Sequence, residues 1–289
     1  CVNNCVYCGF ARRHHIDRKT LSLDEVAEEI RAIHNLGFRN VLLVAGEHPK
    51  LVSSGYMEEV IKIALREIPS VSIEIAPSPV DAYKKYVAAG CEGLTVFQET
   101  YDEKVYPTLH PSGPKSNFQW RLGTPERGAE AGMRKLGLGP LLGVNKWRFE
   151  ILAVAMHAKF LMKKAWRSQI SVSLPRMRPA ASGYIPKPEN IPDDRELVQI
   201  VCALRMFLSR LAIVVSTRES RKLRDGLMGL GVTQMSAYSS TQPGGYAERN
   251  DSGEQFCIDD NRTPEEFVAA VKARGLDPVW KDFDASLIG

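Results

Sequence analysis

No apolar run in this sequence approaches the ~20 residues that a membrane-crossing helix needs, so it offers no candidate spanning segment. It also lacks an excess of one charge. The net charge is +4 over 289 residues, and Lys and Arg are scattered rather than blocked. Neither a nucleic-acid nor a membrane partner is therefore indicated. No Gly-rich dinucleotide fingerprint opens any strand-to-helix unit, and there is no internal repeat and no low-complexity tract. Cysteine is scarce and uneven: Cys1, Cys5 and Cys8 lie together, while Cys91, Cys202 and Cys257 stand alone. That spacing does not suit the disulfide framework of a small secreted chain. No signal peptide is visible, and a cytosolic (cytoplasmic) protein is expected.

What is present is an ordinary globular composition, 44% hydrophobic and 25% charged, enough for one large core. Strand and helix patterns alternate. Short runs rich in Val, Ile and Leu predict strands at 40–45, 70–76, 93–98, 138–142, 169–174, 212–216 and 234–238. Helical patterns lie between them, the first capped by Ser22 and closed by Gly37. Pro125 suits the first turn of another, and the last spans 264–274. A Pro- and Gly-punctuated loop covers 106–123, and a Pro-rich loop covers 175–192. Continuous apolar runs between helices predict parallel strands covered on both faces. Seven strands, plus one expected just upstream of Cys1, make an α/β fold of the (βα)8 barrel type. An open doubly wound sheet is the alternative. Residues 1–240 are expected to form the barrel core, with 241–289 as a tail and helix packed on it in the same catalytic unit.

Barrel active sites sit at the C-terminal ends of the strands. The residues expected there are polar: the Cys1–Cys8 run, Gly46-Glu47-His48, Gln98-Glu99-Thr100, Pro175-Arg176-Met177-Arg178, Ser216-Thr217-Arg218-Glu219 and Ser239-Ser240-Thr241. Cys1, Cys5 and Cys8 supply three thiolates. Iron–sulfur clusters are usually held by four, so three leave one iron open to another ligand. The alternative is a zinc site, in a non-catalytic binding protein, completed by His14 or His15. A carboxylate at Glu47 suits an ammonium group. Glu99 suits a ribose hydroxyl or an ion pair with Arg121. Arg176, Arg178 and Arg218 are each a clamp for a substrate carboxylate or a structural group. Gly244-Gly245-Tyr246 reads as a tight turn, and His157 as a packed residue.

The motifs CVNNCVYCGF, LLVAGEHPK, FQETY, PRMRPA, STRES, TQPGGYA and PVWKDFD occur in that order. Together they resemble the tyrosine lyases of the radical S-adenosylmethionine (SAM) superfamily, most of all the branch of bacterial thiamine thiazole biosynthesis. The resemblance implies a 4Fe-4S cluster on Cys1, Cys5 and Cys8, with SAM as cofactor. It implies Tyr7 against the SAM adenine, Glu47 near the SAM amino group, and Glu99 and Arg121 nearby. The implied reaction is Cα–Cβ cleavage of tyrosine by a 5′-deoxyadenosyl radical, giving p-cresol and 2-iminoacetate (dehydroglycine). The implied partners are thiazole synthase and a flavodoxin- or ferredoxin-type reductant. Arg178, Arg218 and Ser239 are substrate contacts expected from their strand-end positions. LHPSGPK and DDNRTPEE also resemble the hydrogenase-maturation branch, which makes carbon monoxide and cyanide at a second cluster held by further cysteines. No cysteine follows Cys257 in this sequence.

Overall fold

In the computed structural model, residues 1–49, 55–180, 182–247 and 255–281 are described. Seven strands pair in parallel and in chain order: β1 Asn40–Val44, β2 Ser70–Glu74, β3 Gly93–Glu99, β4 Lys135–Pro140, β5 Gln169–Ser173, β6 Ala212–Val215 and β7 Gln234–Met235. The helices are α1 Leu23–Asn35, α2 Met57–Leu65, α3 Val80–Ala88, α4 Phe118–Leu122, α5 Thr124–Glu130, α6 Trp147–Lys164, α7 Asp194–Phe207, α8 Arg221–Leu227 and α9 Pro264–Ala273. The result is a curled, TIM-like half-barrel. The sheet has no eighth strand among the described residues. None of the described helices is long and apolar enough to cross a membrane.

Local chemistry sets the helix starts. Ser22 Oγ accepts from the Glu25 amide at 3.2 Å while Glu25 returns a bond to the Ser22 amide. The same reciprocal cap opens α7 at Asp193 and α9 at Thr263. Each such cap is worth about 1 kcal/mol.

The strands are parallel as the runs predict, and in β2, β4 and β5 large apolar residues alternate with small or polar ones. Val71, Ile73, Leu94, Val96, Leu136, Leu138, Ile170, Val172, Ile213 and Val215 join Ile30, Ile61, Leu161 and Val201 of the helices in one buried core. Each large side chain buried there contributes about 1.5–3 kcal/mol. The opposite face carries Ser72, Thr95, Gly137 and Gly139. A Cβ on Gly137 would lie 2.5 Å from Thr95 Oγ1, and one on Gly139 2.6 Å from the Phe97 ring. Small and polar residues therefore keep the barrel interior open for function.

Two boundaries moved. β4 starts at Lys135 because Gly132, at φ 100°, ends α5 early. Leu141 and Leu142, read as strand interior, follow Pro140, and Leu142 bridges Arg176 instead. The stretch read as a loop at 106–123 holds one helical turn at Tyr106–Leu109 and the helix α4.

The last segments close back on α1. The Tyr246 and Ala247 amides donate to Glu29 at 3.0 and 2.6 Å, and Trp280 meets Phe38 edge to face at 5.3 Å. The Gly244-Gly245-Tyr246 turn forms as expected. A Cβ on Gly245 would strike Ser240 Oγ at 2.3 Å. The Asp282-Phe283-Asp284 end of PVWKDFD lies outside the described residues.

Candidate active site

The cysteine run forms a loop pinned at both ends by backbone bonds. The Val2 amide donates to the Glu47 carbonyl at 2.8 Å, and the Val6 amide to the Leu109 carbonyl at 3.0 Å. Asn3 is its buried linchpin. Its Nδ2 donates to Glu47 Oε2 at 2.7 Å and reaches Cys1 Sγ at 3.7 Å, while its Oδ1 accepts from the Lys115 amide at 2.9 Å. Two glycines allow the close approach. A Cβ on Gly46 would lie 3.1 Å from Cys1 Cβ, and one on Gly113 2.9 Å from the Asn3 Cα. Gly113 also sits at φ 96°, where a side chain is strained.

Cys1, Cys5 and Cys8 are all free thiols. Burial, first of all, raises the Cys5 thiol above its ordinary pKa, with Lys115 opposing it. Ligation would have to draw off that proton. Cys1 and Cys8 each have an amide donor, Asn3 at 3.7 Å and Gln255 at 4.0 Å, and hydrogen bonds to sulfur tune iron–sulfur clusters. Among the described residues, no three His, Cys, Asp or Glu side chains are grouped to hold a single metal ion. Three thiolates on one short loop are the donor type that holds an iron–sulfur cluster, whose ligands sit on separate corners and need not converge on one point.

Charged side chains line the neighbouring wall. Arg121, buried on α4, donates to Glu47 Oε1 at 3.0 Å and to the Phe97 carbonyl at 2.7 Å. Glu99 pairs instead with Lys115 at 2.6 Å, which corrects the expected Glu99–Arg121 bond. Lys115 stands in the middle of a three-residue turn, Pro114–Ser116. Burial opposes ionisation of Glu99, but Lys115 and Arg121 outweigh it and hold the carboxyl below its usual pKa. Glu99 adopts a left-handed φ of 70° at a register shift after Phe97. Such strain in a non-glycine residue needs firm surroundings. These are supplied by Glu150, which accepts from Thr100 Oγ1 at 2.5 Å and the Tyr101 amide at 2.7 Å.

Tyr7 is buried, and its hydroxyl lies 2.9 Å from His110 Nε2. His110 Nδ1 lies 3.0 Å from the Tyr106 carbonyl. A carbonyl only accepts, so Nδ1 carries the proton and Nε2 accepts from Tyr7. Burial, assisted by Lys115, lowers His110 to a pKa of about 3.

The strand-end arginines separate into two kinds. Arg176 binds Glu219 with Nε at 3.0 Å and also through its terminal nitrogen, and it reaches Asp194 at 2.7 Å. Arg178 pairs with Glu219 at 3.4 Å and Asp259 at 3.3 Å. Both spend their charge inside the protein, so neither is a free clamp. Arg218 differs. Its guanidinium stacks 3.4 Å from the Phe256 ring centroid, and no carboxylate among the described residues hydrogen-bonds to it. Burial lowers it to a pKa of about 10, against the raising influence of Glu99 and Glu74. Ser239 follows β7, half-buried. His157 bonds the Tyr101 hydroxyl at 3.0 Å, a packed role as expected.

Sequence reasoning missed Asn3, His110, Lys115 and Glu74. Asn3 lies between two cysteines, and His110 and Lys115 stand in LHPSGPK, but a local pattern does not reveal contacts across 100 residues. Glu74 had a local signal. It continues the Ser70, Ser72 alternation that points away from the apolar core.

Residues 1–154 match the radical SAM superfamily, and residues 173–277 match the Biotin and Thiamin Synthesis associated domain. The chain is 42% identical over 288 residues to 2-iminoacetate synthase of Escherichia coli (strain K12), covering 99% of this chain and 76% of the relative. The crystal structure of HydG, a maturase of the FeFe-hydrogenase, superposes with a TM-score of 0.92 at 33% identity, covering 97% of this chain and 63% of that one. HydG from Carboxydothermus hydrogenoformans gives 0.88 at 38%, covering 96% and 64%. This chain thus spans less than two thirds of either maturase. With the half-barrel, the pinned three-cysteine loop and these relatives in agreement, the chain belongs to the radical SAM superfamily, enzymes that work with a 4Fe-4S cluster and SAM.

Proposed function

We propose that this enzyme is a lyase that cleaves the Cα–Cβ bond of L-tyrosine to 2-iminoacetate and p-cresol, serving formation of the thiamine thiazole ring. The observation that carries the reading is Arg218, a desolvated guanidinium that no carboxylate among the described residues hydrogen-bonds, at the same strand-end mouth as the cysteine loop. A bidentate anion, such as an amino-acid carboxylate, matches its fork of donors. The identity to 2-iminoacetate synthase supports tyrosine as that amino acid.

In this reading Cys1, Cys5 and Cys8 ligate three irons. When bound, the cluster and SAM would supply the radical chemistry that starts cleavage at the substrate amine. Tyr7 offers an aromatic wall for adenine, with its hydroxyl turned into His110 and away from chemistry. Glu47, Glu99 and Arg121 form a charged wall for the polar groups of SAM, each held in place by a partner. Arg218 binds the tyrosine carboxylate, with Ser239 as a further hydroxyl contact, and Arg178 braces Glu219 rather than touching substrate. Residues 1–240 act as the barrel core and 241–289 as a tail of the same catalytic unit. The cytosolic partners are thiazole synthase, which receives 2-iminoacetate, and a flavodoxin- or ferredoxin-type reductant.

A second reading, a tyrosine lyase of hydrogenase maturation, is favoured by the likeness to HydG. One experiment separates the two. Anaerobically reconstituted protein is incubated with SAM, dithionite and tyrosine, and the products are assayed. p-Cresol and glyoxylate (from hydrolysis of 2-iminoacetate) without cyanide or carbon monoxide support the thiamine role. Cyanide with carbon monoxide supports maturation. 5′-Deoxyadenosine without cresol removes tyrosine as substrate.

A further inference from the structure

The barrel interior holds a second charged side chain with no ion-pair partner among the described residues. Glu74 ends β2 and lies on the strand face that turns away from the apolar core, in line with Ser72. No hydrogen bond or ion pair engages its carboxylate among the described residues, and the side chain keeps some accessible surface. Strand-end carboxylates elsewhere in the site are engaged: Glu47 by Asn3 and Arg121, Glu99 by Lys115, Glu219 by Arg176 and Arg178. The charges that face Glu74 come from Glu99 on β3, Lys115 on the turn between β3 and α4, Arg121 on α4 and Arg218 after β6. Glu74 and Arg218 thus present opposite, unsatisfied charges to one interior. That is the complement of an α-amino acid, which carries a carboxylate and an ammonium on one carbon.

Resting on the tyrosine-lyase reading, we propose that Glu74 receives the ammonium group of the substrate and takes one proton from it. One N–H bond breaks and one O–H bond forms, the electron pair stays on nitrogen, and no oxidant or reductant is required. The product is a neutral amine, from which loss of a hydrogen atom leaves a neutral aminyl radical rather than an aminium radical cation. The surroundings suit such a transfer. Burial, first, and the negative charge of Glu99 raise Glu74 to a pKa of about 7, against the pull of Arg121, Lys115 and Arg218. An ordinary surface carboxylate near 4.3 is a far weaker base.

The test is a binding comparison on anaerobically reconstituted, SAM-loaded protein without reductant. Equilibrium dialysis measures L-tyrosine and its des-amino analogue, 3-(4-hydroxyphenyl)propionate, on wild type, Glu74→Gln and Glu74→Asp. Wild type is expected to prefer tyrosine, by about tenfold or more as for a charge-assisted hydrogen bond. The preference should fall as the pH drops through about 7, where the carboxylate is protonated. Glu74→Gln should bind both ligands alike at every pH, and Glu74→Asp should keep part of the preference. Unchanged iron, sulfide and SAM content shows that the variants are folded. A Glu74→Gln protein that keeps the full preference overturns the role of Glu74 and leaves the tyrosine reading intact. Wild type that binds no tyrosine overturns that reading, and this proposal with it.

Discussion

The Tyr7 hydroxyl donates to His110 Nε2 at 2.9 Å, and the pair is sealed by the His110 Nδ1 bond to the Tyr106 carbonyl. A tyrosine inside the cysteine loop is therefore locked by a residue 103 positions away. Tyr7→Phe keeps the ring but leaves a buried imidazole nitrogen without a donor, which costs about 1–3 kcal/mol. Chemical denaturation of reconstituted protein should show that loss, with iron content little changed.

His110 also predicts an acid limit on stability. Its folded pKa, about 3, lies below the unfolded value of about 6.5. The unfolded chain therefore binds the proton first, and stability falls as the pH drops below about 6.5. Each pH unit lost in that window costs up to about 1.4 kcal/mol from this group. Urea midpoints at about pH 7 and about pH 5 should differ more in wild type than in His110→Gln.

Arg121→Met should strand Glu47, buried with Asn3 as its remaining donor. Removing one partner of a buried pair costs about 3–5 kcal/mol. Because Glu47 holds Asn3, and Asn3 holds the loop, iron and sulfide retained per chain should fall as well. Full cluster content in this variant would count against the mechanical link.

Gly113→Ala puts a Cβ 2.3 Å from Asn3 Oδ1 and 2.9 Å from its Cα, at φ 96°. Gly275→Ala is a matched control, since its φ of 71° is also left-handed but the added Cβ meets nothing within 4 Å. The control should lose about 1 kcal/mol from backbone strain. Gly113→Ala should lose clearly more and also bind less iron.

Arg218→Met is expected to split stability from function. Removing a desolvated cation that has no ion-pair partner among the described residues should leave the unfolding midpoint unchanged or raise it. Tyrosine binding should weaken by about 1.5–3 kcal/mol. Retained tyrosine binding in Arg218→Ala would remove the clamp role.

The alternation of strands and helices was legible because apolar spacing is a local property. So was the cysteine loop, since its three ligand candidates lie within eight residues. Strand-end position gave Arg176, Arg178 and Arg218 one shared reading, clamp or structural group, although among the described residues only the first two pair with carboxylates. What separates them is Glu219, which folding places against the first two. The Glu99–Arg121 pairing failed for a similar reason. A Lys115 ammonium arrives from a turn whose course depends on Asn3 and Gly113, and no periodicity encodes that course.

The bonds from Tyr246 and Ala247 to Glu29 join residues 217 and 218 positions apart. During synthesis at about 5–20 residues per second, the carboxylate of α1 waits roughly ten to forty seconds for its partners to leave the ribosome. Until then the apolar flank of α1 has no cover from the chain's last segments. The seam between α1 and the Gly244-Gly245-Tyr246 turn can therefore close only after most of this sequence has been made.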